Sequence, residues 1–295
     1  MIERCTLITT SLSRAAPMRI ETHQYQPAMT VMNSKLLLMT TFVAAVAFST
    51  PSFAMNNIEK AMTVVQGIGD RDPDLATKYI NPQKFKYHNP RAYDGVEGVK
   101  ALIGSLPKEK SPLTVVRAFQ DGPYVVIHSQ GELSGHKVFF DIFKFEDGRI
   151  VEHWDNTADW TPANESGHTA TDGPTKAADL EATEKNKKLI RDFYDTIFIK
   201  GQSEKMAQYF DGDKFIRHDG RGGDGLSAVK ALMQKQAKSG TVMKADQVHM
   251  ILGEGNFVLV AASGSISDRP VAYYDLFRVE NGKIAEHWEI GRAHV

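Results

Sequence analysis

Thiol groups are almost absent from this chain of 295 residues, which contains one cysteine, Cys5. That cysteine lies upstream of a segment with the features of a secretory signal, so we expect a mature chain without thiols. A chain of that kind has no disulfide, no thiolate metal site and no cysteine nucleophile.

The sequence also has no apolar run of the ~20 residues that cross a bilayer. Lys35 is followed by a shorter apolar run, 36–48, and by small residues at Ser52 and Ala54. This order predicts a signal peptide over 32–54, cleaved after Ala54, and thus an exported protein, periplasmic or secreted. The alternative reading is a membrane anchor; after cleavage we expect no stable membrane span.

Both ends of the sequence are interpreted as lying outside the fold. Residues 1–31 precede the signal, which indicates a start codon assigned too far upstream, with translation beginning at Met29 or Met32. Residues 290–295, Ile-Gly-Arg-Ala-His-Val, match one reading frame of a common sequencing adapter. We therefore expect a second domain that is truncated at its C-terminal end.

An excess of charge of one sign is missing too, because the formal net charge is −1. Lysines and arginines are scattered among acids and form no basic stripe. Nucleic-acid binding usually needs such a stripe, so we expect no nucleic-acid partner.

What the chain does contain is a long internal repeat. Residues 139–155 pair without a gap with residues 273–289, and each copy ends in an acid, histidine, tryptophan and another acid. Upstream, 88–95 is answered by 218–225, and 99–102 by 229–232. A recurrence of this length indicates one structural unit used twice.

The two copies are separated by a polar stretch without apolar periodicity, 164–175, which is typical of a linker. We expect a first domain over 55–163, a linker over 164–183 and a second domain over 184–295. Each domain is near the common size for one hydrophobic core.

Within each domain the helical patterns come first and the strand patterns follow. This order predicts an α+β fold with helices on one face of an antiparallel sheet. The expected helices are 58–66, 72–80, 96–106, 186–198, 204–210 and 226–238, and the expected strands are 113–119, 124–129, 137–145, 149–156, 243–252, 257–265, 271–279 and 283–289.

At two motifs the chain resembles the SnoaL-like polyketide cyclases of the nuclear transport factor 2-like (NTF2-like) superfamily. One motif is His-Asn-Pro-x-x-x-Asp-Gly, from His88, and the other runs from Asp141 to Asp155. The resemblance covers nearly all of each half and implies two tandem cone-shaped domains, each a curved sheet wrapped by three helices around an apolar pocket. It implies an acid/base aspartate at Asp155, whereas Asp141 and Asp275 stand where the enzymes of the family carry a pocket histidine.

Strand alternation predicts which side chains share a face. If 146–148 is a three-residue loop, Asp141 pairs with His153, and Asp155 lies on the same face as both. A two-residue turn would slip the register by one and send His153 and Asp155 to the opposite face. We favour the three-residue loop, which leaves an apolar opposite face to pack on the other domain as a pseudo-dimer within one chain.

Together with these placements, the resemblance implies an acid/base enzyme that acts on a small apolar carbonyl compound, without cofactor or metal. Asp155 is the expected acid/base, His153 and Asp141 orient it, and His88 or Tyr87 polarises the substrate. The predicted pocket lining is Tyr87, Phe139, Phe143 and Phe145; the second-domain counterparts are Glu289, Asp275, His287 and His218.

Three alternatives stay open at this point. His153 and Asp141 are also the composition of a satisfied structural pair. The fold hosts plain binding modules, so a non-catalytic small-ligand protein is the main rival. A metal enzyme using His88, Asp141 and His153 is the third.

Overall fold

Two five-stranded sheets, each covered by its own helices, make up the described part of the chain. A computed structural model describes residues 55–89, 92–220, 222–241 and 243–293. The predicted upstream segment and signal peptide lie outside the described residues, and the described residues belong to one compact unit.

The first half begins with three helices and ends with four long strands. Its sheet has the order β1-β5-β4-β3-β2, in which β1 runs parallel to β5 and the other neighbours are antiparallel. The elements are α1 (Asn57–Asp70), α2 (Pro73–Thr77), β1 (Lys86–Tyr87), α3 (Gly95–Ser105), β2 (Thr114–Asp121), β3 (Tyr124–Glu132), β4 (His136–Glu146) and β5 (Arg149–Asp159).

The second half repeats this plan with the sheet order β6-β10-β9-β8-β7. Its elements are α4 (Thr183–Tyr194), β6 (Ile216–Arg217), α5 (Gly225–Lys238), β7 (Met243–Glu254), β8 (Phe257–Ile266), β9 (Arg269–Glu280) and β10 (Lys283–Ala293). A π-helical turn, Asp195–Ile199, extends α4, and a 3₁₀ helix, Ser203–Tyr209, stands where an α-helix was expected. The fold of both halves is mixed α/β, as the order of the patterns predicts.

Local sequence accounts for the position of α1 and α2. Asn56 and Glu59 form a reciprocal capping box at the start of α1, which satisfies two backbone donors. The helix closes at Arg71 in the left-handed conformation. Near its end, α1 lies so close to α2 that a Cβ on Gly67 would approach Ala76 N to 2.3 Å. Gly67 is therefore required for the contact between the two helices.

The β4–β5 hairpin differs from the predicted three-residue loop. Glu146 pairs directly with Arg149 across a two-residue turn in which Asp147 and Gly148 both have positive φ (49° and 71°). This is the type I′ geometry that an Asp-Gly sequence favours, and the expectation of a longer loop was wrong.

A bulge in β5 cancels the effect of the shorter turn. The register shifts between Phe145–Ile150 and Lys144–Glu152, which leaves Val151 as an extra residue. Asp141 consequently pairs with Asp155 and not, as expected, with His153, which pairs with Phe143. Turn and bulge together restore the parity, so the three polar residues share the face that the sequence predicts. The hairpin of the second half does the same, with a turn at Asn281–Gly282 and an extra residue at Ala285.

The faces of the two sheets that point away from the helices share one hydrophobic cluster. Its members come from both halves and include Phe119, Phe140 and Ile142 with Phe257, Leu276 and Trp288. Polar contacts cross the same surface: Asn156 Nδ2 donates to the carbonyl oxygens of Ala272 (3.0 Å) and Ile290 (3.2 Å).

Each half also has its own hydrophobic cluster, which lies between the sheet and the helices of that half. Among the described residues, none of the helices combines the length and the apolar character that a bilayer span requires.

Candidate functional site

A cavity of about 680 Å³ lies between the sheet and the helices of the first half. Apolar side chains of α1 and α3 cover it, and carboxylates of the strands face it, among them Asp141 and Asp155. Its lining comprises Val65, Ile68, Tyr87, Asn89, Leu102, Ser105, Leu106, Leu113, Leu133, Ser134, Lys137, Phe139, Asp141, Asp155, Thr157, Ala158, Asp159 and Gly291. The cavity thus combines an apolar roof with a polar floor.

Asp141 and Asp155 are direct cross-strand partners on β4 and β5. Residues paired in this way have Cβ atoms about 5 Å apart, so the two carboxylates are neighbours. Asn89 Nδ2 donates to both oxygens of Asp155, at 2.8 and 2.9 Å. Asp155 is half-buried and Asp141 is buried. Two adjacent carboxylates on a cavity floor form a place where a proton can be taken up and returned.

His153 supports the floor from within the protein. Its ring lies between the rings of Tyr87 (4.6 Å) and Phe143 (4.2 Å), and it does not line the cavity. Nε2 of His153 forms a hydrogen bond of 2.9 Å with Asp141 Oδ1. His153 therefore orients Asp141 and has no place in the lining of the cavity.

Tyr87 is the neutral hydrogen-bond donor of this site. Burial, followed by the negative charges of Asp155 and Asp141 and a hydrogen bond with Asp155, raises the pKa of Tyr87 well above its usual value. Its hydroxyl is consequently protonated across the physiological range and lies beside the carboxylate pair.

His88 does not belong to this cavity, which corrects the expectation from sequence. Tyr87 pairs with His153 along the parallel β1–β5 ladder, and His88, one residue on, points to the opposite face. There it stacks on Trp154 at 4.4 Å and forms a 2.9 Å hydrogen bond between Nε2 and Glu152 Oε2. The proposed metal set of His88, Asp141 and His153 is therefore split between two faces of the sheet.

Of the three predicted phenylalanines, Phe139 lines the cavity, whereas Phe143 and Phe145 lie in the core beneath it. Asn89 is a site residue that was not predicted. The available signal was alternation: in an extended segment Tyr87 and Asn89 share a face, and His88 takes the other.

The second half contains a more apolar cavity of about 490 Å³. His287 and Glu289 line it, surrounded by side chains of α4, α5 and the connecting segments, among them Phe193, Ile197, Phe198, Met206, Phe210, Phe215, Val229, Leu232, Met233 and Phe277. Behind His287, the carboxylate of Asp275 contacts both His287 Nε2 (2.8 Å) and the hydroxyl of Tyr194 (2.7 Å).

The two halves differ at one of the equivalent positions around the repeated histidine and agree at another. Arg217 stands opposite His287 in the strand register, where Tyr87 stands opposite His153, and it forms a buried ion pair with Asp219. His218 stacks on Trp288 at 4.3 Å, on the face away from the cavity, as His88 stacks on Trp154. The expectation that His218 joins Asp275 and His287 is therefore corrected for the same reason as for His88.

Among the described residues, two groups have the geometry to hold a metal ion. One is Asp275, His287 and Glu289 in the second cavity; the other is His168, Asp172 and His218 where the linker meets the second half. In each group the ligand atoms lie within 4.8 Å of one another.

No protein-family model matches the chain, and no curated protein matches it either. Among solved structures, an NTF2-like protein of unknown function from Cytophaga hutchinsonii is 14% identical, covers 36% of this chain and 94% of its own, and gives a TM-score of 0.32. A putative ketosteroid isomerase from Kribbella flavida is 16% identical, with 41% and 90% covered and a TM-score of 0.32. An LEH-like epoxide hydrolase from M. tuberculosis is 17% identical, with 34% and 80% covered and a TM-score of 0.29.

Each of these likenesses is to part of the chain. Identities and TM-scores this low do not indicate a shared reaction or ligand.

Proposed function

We propose that the first-half cavity is the active site of a SnoaL-like acid/base enzyme that acts on a small apolar carbonyl compound. The observation that carries the proposal is the facing pair of Asp141 and Asp155 on the floor of a cavity with an apolar roof. The apolar roof suits a hydrocarbon skeleton, and the floor offers one proton acceptor and one neutral donor to a carbonyl group.

In the proposed reaction, one oxygen of Asp155 takes a proton from the carbon next to the carbonyl group. The electron pair of that C–H bond moves into the carbonyl group, and Tyr87 donates a hydrogen bond to the enolate oxygen that forms. In the isomerisation of a β,γ-unsaturated carbonyl compound, Asp155 returns the proton to the γ-carbon of the dienolate, and the double bond moves to the α,β position. In an aldol cyclisation, the enolate carbon attacks a second carbonyl of the same molecule, and the new alkoxide takes the proton.

Asp141 and Asn89 have supporting roles in this scheme. Asn89 fixes the orientation of Asp155 through two hydrogen bonds. His153 holds the carboxylate of Asp141 in place opposite Asp155.

The Asp155→Asn variant tests the proposal. Proton–deuterium exchange next to the carbonyl group is followed by NMR in D₂O for a panel of small cyclic ketones and 1,3-diketones. We expect exchange by the wild-type chain and a loss of roughly 10²–10⁴-fold in the variant, because the acid/base group is gone. Asp74→Asn, which changes an exposed carboxylate on α2, is the control. An unchanged exchange rate in Asp155→Asn removes this residue from the mechanism.

For the second cavity we propose binding of a small apolar ligand without catalysis. The observation that favours it is the set of contacts to Asp275, whose carboxylate is held by both Tyr194 and His287. The equivalent carboxylate of the first half, Asp141, is held by His153. The lining is also richer in phenylalanine and methionine.

Leu102 and Leu232 occupy equivalent positions in the repeat and line the first and second cavities. Each can be changed to tryptophan to fill its own cavity. We expect Leu232→Trp to abolish binding of an apolar fluorescent dye at the second cavity and leave exchange activity intact, and Leu102→Trp to do the reverse, both measured by dye titration and by the NMR assay. Parallel effects of the two variants would contradict separate roles.

Two further features of the sequence stay proposals. Export rests on the signal-like segment 32–54. A pseudo-dimer of the two halves is supported by the hydrophobic cluster that their sheets share.

A further inference from the structure

Three side chains with metal-binding groups meet where the linker folds onto the second half. His168 and Asp172 come from the linker, and His218 follows β6. Asp172 Oδ2 lies 3.0 Å from His168 Nδ1, and Asp172 Oδ1 lies 2.7 Å from His218 Nδ1. The ring of His218 is 1% exposed, whereas Asp172 reaches solvent. The cluster is thus built into the protein but open on one side.

The linker is held in shape around this point. Asn164 Nδ2 donates to the Arg217 carbonyl oxygen (2.7 Å), and Asn164 Oδ1 accepts from the backbone N–H of His168 (3.0 Å). The backbone of Asp172 is fixed as well, because its carbonyl oxygen accepts from Arg117 Nη2 (2.7 Å) and from Trp288 Nε1 (3.1 Å). Both linker side chains therefore come from an ordered backbone.

The far nitrogen of each imidazole is also engaged by a carboxylate. His168 Nε2 lies 3.1 Å from Asp224 Oδ2, and His218 Nε2 lies 2.9 Å from Glu286 Oε2. Glu286 is fixed in turn by Arg278 Nε at 2.7 Å. Carboxylates in this position orient metal-binding histidines, because they hold the outer N–H and leave the inner nitrogen to the metal.

We propose that His168 Nδ1, His218 Nδ1 and the Asp172 carboxylate bind one divalent transition-metal ion, with zinc as the best match. Two imidazoles and one carboxylate are ligands that Zn²⁺ takes, and the fourth position is left to water or to the Thr169 carbonyl oxygen, which lies 3.2 Å from His218 Nδ1. Tetrahedral zinc separates its ligand atoms by about 3.3 Å, so the 2.7 and 3.0 Å contacts widen by a few tenths of an ångström on binding.

The ion takes the place of protons. Each imidazole binds a metal ion through a nitrogen that carries no proton. In the proposed site the ion is bound by the two Nδ1 atoms, and the Nε2 atoms keep their hydrogen bonds to Asp224 and Glu286. The ion would fasten the linker to the second half, since two ligands come from the linker and one follows β6.

The experiment uses the full chain with Cys5→Ser, which removes its one thiol, after treatment with chelator and removal of the chelator. Zn²⁺ is titrated by calorimetry, and Co²⁺ is titrated by visible absorption. We expect one ion to bind with His168, Asp172 and His218, an intense tetrahedral Co²⁺ spectrum and a Tm that rises with Zn²⁺.

Variants assign the ion to this cluster. His168→Gln and Asp172→Asn each remove a ligand and should weaken Zn²⁺ binding by at least about tenfold, and Asp224→Asn, which removes an orienting carboxylate, by roughly 10–100-fold. His249→Gln, an exposed histidine on β7, is the matched control and should bind as the unmodified chain does.

His287→Gln separates the two candidate groups, because it disables the one in the second cavity. Binding that survives His287→Gln and is lost in His168→Gln supports the proposal. Absence of Zn²⁺ and Co²⁺ binding, or binding that His168→Gln and Asp172→Asn leave unchanged while circular dichroism shows both variants folded, overturns it.

Discussion

The residue that stacks on the repeated histidine differs between the two halves. In the first half it is Tyr87, a neutral donor beside Asp155; in the second its place in the register is taken by Arg217, which is paired with Asp219. Arg217, which is paired with Asp219, has no hydroxyl group to donate to the oxygen of the proposed enolate. This single difference is one reason to assign proton transfer to the first half.

The linker histidine His168 gives the protein a pH-dependent contribution to stability when no metal is bound. Burial lowers the pKa of His168, but hydrogen bonds and charges of Asp172 and Asp224 outweigh it, and the net pKa is raised. For Asp172, burial raises the pKa, but hydrogen bonds from His168 and His218 outweigh it and the net pKa is lowered.

A raised histidine pKa stabilises the fold below the unfolded value of about 6.5, and this stability is lost as the pH rises through the folded value. A lowered aspartate pKa stabilises the fold above the unfolded value of about 4, and this stability is lost as the pH falls. The contact therefore contributes most between about pH 4.5 and 6.5. In urea denaturation with chelator present, His168→Gln should lower the free energy of unfolding more at pH 5.5 than at pH 8.5. An equal loss at the two pH values, or a similar pH dependence in His249→Gln, would contradict this assignment.

At the scale of elements, the contact between α1 and α2 depends on a missing side chain. A Cβ on Gly67 would meet the Ala76 backbone nitrogen at 2.3 Å, so Gly67→Ala must push the two helices apart. A Cβ added at Gly104, in α3, would meet no atom within 4 Å. We expect Gly67→Ala to lower the free energy of unfolding by about 1–3 kcal/mol and Gly104→Ala to raise it by about 0.5–1 kcal/mol. Guanidinium denaturation measures both; a neutral Gly67→Ala would show that α2 is free to shift.

The hairpins show how far sequence can predict an element. The shared face of Asp141, His153 and Asp155 was predicted, but from a loop that does not form. A two-residue turn and a bulge at Val151 place the same side chains on the same face. The alternation of side chains encodes only which residues share a face, and not the turn or the bulge that brings this about. The position of the bulge has no clear sequence signal, because Ile150 and Val151 are both apolar and the alternation does not show which of them is extra.

His88 and the linker show what the sequence could not supply. β1 has two residues and pairs in parallel with a strand more than sixty residues away, so no local pattern tells which of its side chains enters the cavity. The linker residues His168 and Asp172 have no apolar periodicity around them and gain their role from contact with His218. Both errors concern long-range placement, whereas the order of helices and strands was predicted from local patterns.

At the scale of the whole molecule, the two sheets stabilise each other through the cluster between them. Phe140 is fully buried there, although its strand belongs to the first half. Truncation of a buried phenylalanine lowers the free energy of unfolding by about 3–5 kcal/mol. Removal of the Phe140 ring would leave an empty space between the two sheets.

We therefore expect Phe140→Ala to lower the free energy of unfolding by about that amount and to shift one common transition, observed by tryptophan fluorescence and by circular dichroism. Leu180→Ala, at a side chain that is 58% exposed, should change it by less than about 0.5 kcal/mol. Two separate transitions in the wild-type chain would mean that the halves unfold independently, and the cluster would then carry little coupling.

The position of the His153 ring between Tyr87 and Phe143 has a spectroscopic consequence. An imidazole held face to face between two aromatic rings, at 4.6 and 4.2 Å, lies in the shielding region of both. The carbon-bound protons of His153 should resonate at unusually high field, apart from those of exposed histidines such as His249. A ligand that enters the cavity and displaces Tyr87 would move these signals, so the protein carries an intrinsic probe of its own cavity.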